Sequence, residues 1–556
     1  MTALLVVIVT ALVAVAAAAV LGPRLGIASP LVLVVMGVGA SFLPMLPPVV
    51  IEPEWVLQGI LPPLLYSSAV SMPAMNFRRE FGAIGGLSVL LVVGTSLVLG
   101  LFFLVAVPDL GFAWGVALGA IVSPTDAVAT SIVKGTAVSR RVVAMLDGES
   151  LLNDATALVL LRTAIVAAAA GFSFWGAVGS FAYSVTLALA LGIAVGALDL
   201  AVRRRIADPT VTTVLSFTVP FLAAVPAELL GASGLVAAVV AGVVTGVRAP
   251  RELSPRNRLS DSQNWRTVEL VLEGVVFLAM GLQMRSIVTS VEEDHAGVWP
   301  AVLVAAGALL LTLLVRAAYV GPLLAVLASR GRLRERMRPR VEGLNEQMTT
   351  PEGRRDSLES LGRRRRRPSA RDLDRFSVRL RRMLADMEYF VREPLGWRDG
   401  TAVVWAGMRG AVTVAAAQTL PEDTPQRSVL VLIAFAVAAL SLLIQGGTIG
   451  PLLRLLAPQV DGEARATESA AERERIYGLL RTSAEAVAAP IPVPEDRSRA
   501  AFEAARTHRL AVIAAQRSAL LDARDDGTFD ADVLASVLAA LDATEIEIDL
   551  RAQAAG

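Results

Sequence analysis

The sequence predicts an all-α polytopic membrane protein. It has about 13 transmembrane helices in two inverted repeats with crossing discontinuous helices, followed by a helical cytoplasmic tail. Three observations carry this. Hydrophobic residues make up 54% of the chain and charged residues 18%, with a mean hydropathy of +0.61. Soluble chains are about a quarter charged. Apolar windows of about 20 residues recur, joined by short connectors whose charge alternates in sign. Two of these windows are interrupted near their midpoints, at positions that an inverted repeat would make equivalent.

In order, the windows fall at about 2–21, 29–47, 54–72, 82–107, 112–133, 141–169, 175–202, 210–230, 232–247, 266–290, 297–328, 400–420 and 427–457. The first lacks a basic leader and a cleavage site and is read as a span rather than a removed signal. One set of connectors is basic: Arg24, Arg78 and Arg79, Lys134 with Arg140 and Arg141, Arg203 to Arg205, and Arg248 to Arg258. The other set is acidic: Glu52 and Glu54, Asp109, Glu228, Glu292 to Asp294, and Glu422 with Asp423. The positive-inside rule makes the basic set cytoplasmic. An odd span count then puts the N-terminus outside and the tail in the cytoplasm of a plasma-membrane protein. Three regions follow: a transmembrane domain of 1–329 and 399–457, a basic cytoplasmic insertion of 330–398, and a helical cytoplasmic tail of 458–556.

The third span holds Leu-Pro-Pro-Leu-Leu-Tyr at 61–66. Paired prolines interrupt the helical ladder, either as a simple kink or where freed carbonyls face a cavity. The fifth span reads Ser-Pro-Thr-Asp at 123–126, an unwound midpoint exposing carbonyls and half-helix dipole ends that bind ions. In the twelfth, Gly407 and Gly410 flank Arg409, a charge near mid-span. With spans 1–6 and 8–13 as repeats, spans five and twelve correspond, and span seven is the linker.

The chain is organised around 147–160, where Asp147, Glu149 and Asp154 lie in one apolar segment. Each charge at mid-membrane costs roughly 2.5–3.5 kcal/mol on insertion scales, so such residues mark an ion or proton path. The alternative is hydrogen bonding between helices alone. Ser150 and Asp154 are four apart and share one helical face. Asn153 stands beside Asp154 and can donate to it. Hydroxyl, amide and carboxylate together form a small oxygen-rich cation site.

Arg316 in the eleventh span is a second deep charge. Glu149 is its natural partner, and the pair reads as structural. Arg162 and Arg285 lie near span ends and can snorkel. Glu269 and Glu273, four apart in the tenth span, face a water-filled vestibule or lie near the cytoplasmic entrance, and both readings are open. In the insertion, Arg363, Arg364, Arg365, Arg366 and Arg367 run consecutively. They form a solvated, disordered loop or bind anionic lipid headgroups, at roughly 1 kcal/mol per charge. Helices are expected in the tail near 466–488, 498–523 and 530–551, the last two as an αα-hairpin. Regulation, dimer contact and a cytoplasmic cap are equally open as its role.

No Cys is present, which excludes thiol catalysis, disulfides and thiolate metal sites. The two His, His295 and His508, lie outside the apolar windows, which argues against a membrane zinc site or a Ser-His protease. If protons move, carboxylates carry them. The net charge of +1 is uninformative about partners, and no nucleic acid is expected.

Leu61–Tyr66, Ser123–Ala129, Gly148–Asp154, Arg316 with Gly321-Pro322, and Trp405–Val412 together resemble the monovalent cation:proton antiporters, in the sodium/proton exchanger branch with an Asn-Asp pair. Gly-Glu-Ser-Leu-Leu-Asn-Asp before an apolar helix is the most specific of these stretches. The resemblance spans about 1–457 without the insertion. It implies a 13-span fold, a homodimer and an elevator-like core of spans 4–6 and 11–13, with spans five and twelve crossing unwound. It places the carried ion and proton on Asp154, with Asn153 as its paired asparagine. Ser150, Thr125 and Asp126 match groups around the ion, so that Asp154, Ser150 and Thr125 would hold the monovalent cation. Glu149 and Arg316 match a structural ion pair and Arg409 the crossing arginine. Two departures stand out: Ala127 replaces a common proline, and Ser67 and Ser68 stand where some relatives carry a carboxylate.

The expected activity is exchange of a monovalent cation, Na⁺ first, K⁺ or Li⁺ otherwise, for a proton, serving pH homeostasis. It is not enzymatic and needs no cofactor, the ions being cargo. Asp154 would take a proton or a cation but not both, giving electroneutral one-for-one exchange. The rivals are a passive cation channel and a membrane sensor signalling through its tail.

Overall fold

The computed structural model describes residues 2–25, 27–44, 51–134, 136, 138–170, 174–295, 297–349, 370–456, 462–488 and 499–554. The described chain is helical throughout. Helices or pairs of broken helices occupy the predicted windows. Nine of them, among the described residues, are long and apolar enough to cross a membrane, and Ser29–Ser41 and Phe112–Val122 are shorter apolar helices.

Two compact units result, one of Met1–Glu252, Asn257–Leu323 and Gly396–Pro458, the other of Leu253–Arg256, Leu324–Leu395 and Gln459–Gly556. In the first, α1 (Thr2–Leu25) and α2 (Ser29–Ser41) open the chain. A π-helical turn at Trp55–Ile60 leads into α3 (Leu61–Ser71). Pro62 and Pro63 open α3 directly after that turn, and with no N–H they cannot bond back into it. Then come α4 (Ala74–Ala106) and the broken pair α5 (Phe112–Val122) and α6 (Val128–Lys134). The long helices α7 (Arg140–Ala170), α8 (Phe174–Arg203), α9 (Pro209–Leu229) and α10 (Gly234–Glu252) follow. The tenth window holds α11 (Pro255–Leu282) and α12 (Met284–Glu293), and α13 runs from Val298 to Thr349. The second broken pair is α15 (Trp397–Trp405) and α16 (Ala411–Gln418), before α17 (Arg427–Leu456).

The helices of this unit pack as two sets. In one, α10 lies against α3, α8 and α9, and Gly281 of α11 meets Val34 and Gly37 of α2. Tyr66, Trp265, Val219 and Ala241 share its core. Here Arg203, fully buried, donates through Nη1 to Asp199 at 3.2 Å and through Nη2 to Asp261. In the other set α5 packs on α4 and α7, α16 on α5 and α17, and α6 on α7 and α17. Arg141 donates to Glu80 at 2.6 Å inside it, both side chains buried. Large apolar residues such as Leu5, Val7, Val105, Trp175 and Leu229 point outward, as lipid-facing surfaces require.

The second unit differs from the expectation for 330–398. Its described residues are helical, as the extension of α13 to Thr349 and as α14 (Ala370–Arg392), an amphipathic helix. Leu380 and Met387 of α14 pack with Val341, so apolar burial orders the segment. Arg363 to Arg367, the proposed lipid contact, lie outside the described residues. The tail forms α18 (Gly462–Glu485), α19 (Arg499–Asp526) and α20 (Ala531–Ala554) around Ile476, Leu480, Leu520 and Val537.

Candidate ion-binding site

Both breaks lie in the first unit, and they touch. The backbone N–H of Asp126 donates to the carbonyl of Met408 at 2.7 Å. Breaking a helix frees carbonyls that lipid cannot satisfy, and side chains meet them here. Arg409 donates through Nε to Val122 O at 3.0 Å, through Nη2 to Ser123 O at 3.5 Å, and through Nη1 to Gly407 O. A cation at the C-terminal end of α5 also opposes the negative pole of its dipole. Arg316 Nε reaches Val403 O at 2.9 Å and Gln445 Nε2 reaches Trp405 O at 2.9 Å. Ser441 Oγ accepts from the backbone N–H of Arg409 at 2.9 Å. At the N-terminal ends the sign reverses, and Asp126 Oδ1 accepts from Val128 N at 2.9 Å.

The two glycines of the second break make room for these charges. A Cβ on Gly410 would sit on the Asp126 carboxylate, and one on Gly407 would strike the Arg316 guanidinium. Arg316 also grips Glu149, with Nη2 on Oε2 at 2.8 Å and Nη1 on Oε1. Thr125 Oγ1 donates to Glu149 Oε1 at 3.1 Å, joining the first break to this pair.

Asn153 differs from the sequence expectation. Its Nδ2 donates to Thr125 O at 2.9 Å and Thr125 Oγ1 at 2.8 Å, and its Oδ1 accepts from the backbone N–H of Asp154. The amide is fully buried and holds the break rather than the Asp154 carboxylate. Neighbours on a helix point about 100° apart. Hence Asn153 faces the break while Asp154 and Ser150 face a cavity.

That cavity measures about 90 Å³, room for about three waters. From the broken-helix set it takes Pro124, Thr125, Asp126, Ser150, Asp154 and the Gly410–Thr413 turn. From the other set it takes Leu61, Leu65, Ser68, Glu269 and Glu273. Asp154 is buried, only 7% exposed, and among the described residues no donor bonds its carboxylate. Ser150 Oγ is turned back to Asp147 O at 3.0 Å. Ser67 Oγ donates to Glu269 Oε2 at 3.1 Å.

Sequence reasoning left the position of Glu269 and Glu273 open and missed Ser441 and Gln445. The carboxylates at i and i+4 in an apolar run carried a signal, whereas two polar residues in the thirteenth window did not. Arg162 also differs from expectation: it donates to Glu228 Oε2 at 2.8 Å instead of only snorkelling.

Two touching helix breaks among apolar spans, with buried charges beside them, are the architecture of polytopic secondary transporters for ions. The family profile "Sodium/hydrogen exchanger, transmembrane" matches residues 8–357 and 373–455. The chain belongs to that family. It is similar to an uncharacterized Na⁺/H⁺ exchanger of Mycobacterium tuberculosis, 27% identical over 98% of this chain and 96% of the relative. It is 30% identical to a sodium, potassium, lithium and rubidium/H⁺ antiporter of Bacillus subtilis over 48% of this chain and 41% of that one. The fold matches the sodium proton antiporter MjNhaP1 of Methanocaldococcus jannaschii, with a TM-score of 0.56 and 15% identity over 82% of this chain and all of that one.

Proposed function

We propose that this exchanger carries Na⁺ against H⁺ across the plasma membrane, one for one, with Asp154 as the shared site. The observation that carries the reading is the Asp154 carboxylate: buried, bonded by no donor among the described residues, and lining a cavity between two helix sets. A carboxylate there is neutralised by one proton or by one cation. Release of the proton from Asp154 to one side frees the oxygens for a cation from that side. The neutral site then crosses, and a proton displaces the cation on the other face.

Ser150 and the backbone of the first break supply further oxygens. Asn153, Glu149, Arg316 and Arg409 hold the breaks open in the right shape and do not touch the ion. The crossing step is a movement of the set holding α4–α7, α13 and α15–α17 against the set holding α1–α3 and α8–α11. The N-terminus lies outside, the tail inside, and the assembly is a homodimer. The Bacillus subtilis relative is named for four alkali cations, so K⁺, Li⁺ and Rb⁺ belong in the same assay.

The test is proton flux in sealed proteoliposomes with an acid interior, on adding each cation outside, for wild type and Asp154→Asn. Cation-triggered alkalinisation that needs Asp154 and persists with the membrane potential clamped at zero supports the reading. Flux retained by a folded Asp154→Asn protein overturns the shared site. Cation movement without obligatory proton movement makes the protein a channel.

A further inference from the structure

We infer that Glu273 is a sided partner of Asp154: it coordinates the cation when the site faces the cytoplasm and not when it faces outward. This rests on the exchange reading above.

The first unit holds several buried or half-buried carboxylates, and nearly all are matched. Glu80 has Arg141, Glu149 has Arg316, and Asp199 and Asp261 share Arg203. Asp126 caps α6, and Glu269 is bonded by Ser67 with Lys134 and Arg266 nearby. Asp154 and Glu273 stand apart from these. Among the described residues neither carboxylate has a hydrogen-bond donor or an ion-pair partner, and both line the same cavity. The charged neighbours of Glu273 are Asp126 and Glu269, both acidic. A half-buried carboxylate beside two others, with no cationic side chain to pair it among the described residues, is neutralised either by a proton or by a mobile cation, the same two cargoes that the exchange reading gives Asp154. Asp154, 7% exposed, gives the cavity a second carboxylate with no ion-pair partner among the described residues.

The sidedness comes from where the two residues are mounted. Asp154 sits on α7, with the broken helices, and Glu273 on α11, with the other set. If the sets slide past each other during transport, the two carboxylates face one cavity in one state only. The start of α11 carries Arg256 and Arg258, on the side that the basic connectors mark as cytoplasmic. Glu269 lies one turn nearer that end than Glu273, about 6 Å along the axis. An ion arriving from the cytoplasm therefore passes Glu269 and meets Glu273 and Asp154 together. From outside it meets Asp154 without Glu273. The neutral Ser67 and Ser68 leave α11 as the source of the second charge on this wall.

The experiment measures Na⁺-dependent proton flux in inside-out and right-side-out vesicles, with Na⁺ titrated on the accessible face. Glu273→Gln is expected to raise the apparent KM for Na⁺ about tenfold on the cytoplasmic face, with less than about twofold change on the outer face and a smaller effect on maximal rate. Glu273→Asp, which keeps the charge, should recover most of the cytoplasmic affinity. An unchanged cytoplasmic KM, an equal rise on both faces, or a fall in rate alone overturns the assignment. Asp154→Asn, run in parallel, separates the two claims. If it is inactive from both faces, the exchange reading stands whatever Glu273 does, and if it is active, that reading itself fails. Thermal unfolding of each purified variant excludes misfolding as the cause.

Discussion

Glu149 is tied three ways, to the two terminal guanidinium nitrogens of Arg316 and to Thr125. Removing one member of a buried pair leaves the other uncompensated, at about 3–5 kcal/mol. Glu149→Ala should therefore lower thermal stability sharply, and removing Arg316 as well, as Met, should restore part of it. A single variant that melts like wild type while transport falls would mean that Glu149 handles the ion. At Gly410 the issue is space: Gly410→Ala must displace the Asp126 carboxylate, and loss of exchange is expected. Gly447→Ala, where nothing crowds the added carbon, serves as the comparison and should be neutral or slightly stabilising. The shared face of Ser150 and Asp154 was legible because it is local helix geometry. The direction of Asn153 was not, because its partner Thr125 is 28 residues earlier and the contact exists only once the break has docked.

The C-terminal ends of two half-helices, α5 and α15, are satisfied by side chains borrowed from elsewhere. Arg409 serves α5, Arg316 and Gln445 serve α15, and Asn153 serves the turn between α5 and α6. Arg409→Gln removes the cation and most of these bonds, so a drop of several degrees in Tm with loss of transport is expected. Arg162–Glu228 offers a contrast, being largely exposed at 58% and 29%. Such pairs contribute no more than about 1 kcal/mol, so Arg162→Gln should leave Tm almost unchanged. Hydropathy and Pro-Gly punctuation were enough to read the windows, the two breaks and the tail helices from sequence. The order found in 370–392 was not readable there, because its many arginines look solvated until α14 is set against Val341. Nor was the contact of Arg381 and Arg382 with Asp526 at the α19 turn, 3.6 and 3.5 Å, since charge runs carry no address.

On the proposed mechanism one carboxylate serves two cargoes: protonated Asp154 cannot take a cation, so proton and cation compete. Below the pH at which the site is half protonated, each unit of acidification should raise the apparent cation KM about tenfold. A KM flat with pH in that range would show that the two cargoes do not share a site. With one charge exchanged for one, turnover should also ignore the membrane potential, which flux at clamped voltages checks. The crossing of the two breaks bears on biosynthesis as well. Val122 and the Arg409 that satisfies its carbonyl are 287 residues apart. At about 5–20 residues per second, roughly 15–60 s separate their emergence from the ribosome. Through that interval the early half of the chain sits in the bilayer with an open helix break and no counterpart. Chains halted before residue 400 should thus be the ones that quality-control proteases and insertase chaperones recognise, and the nascent protein becomes self-sufficient only when its twelfth window arrives.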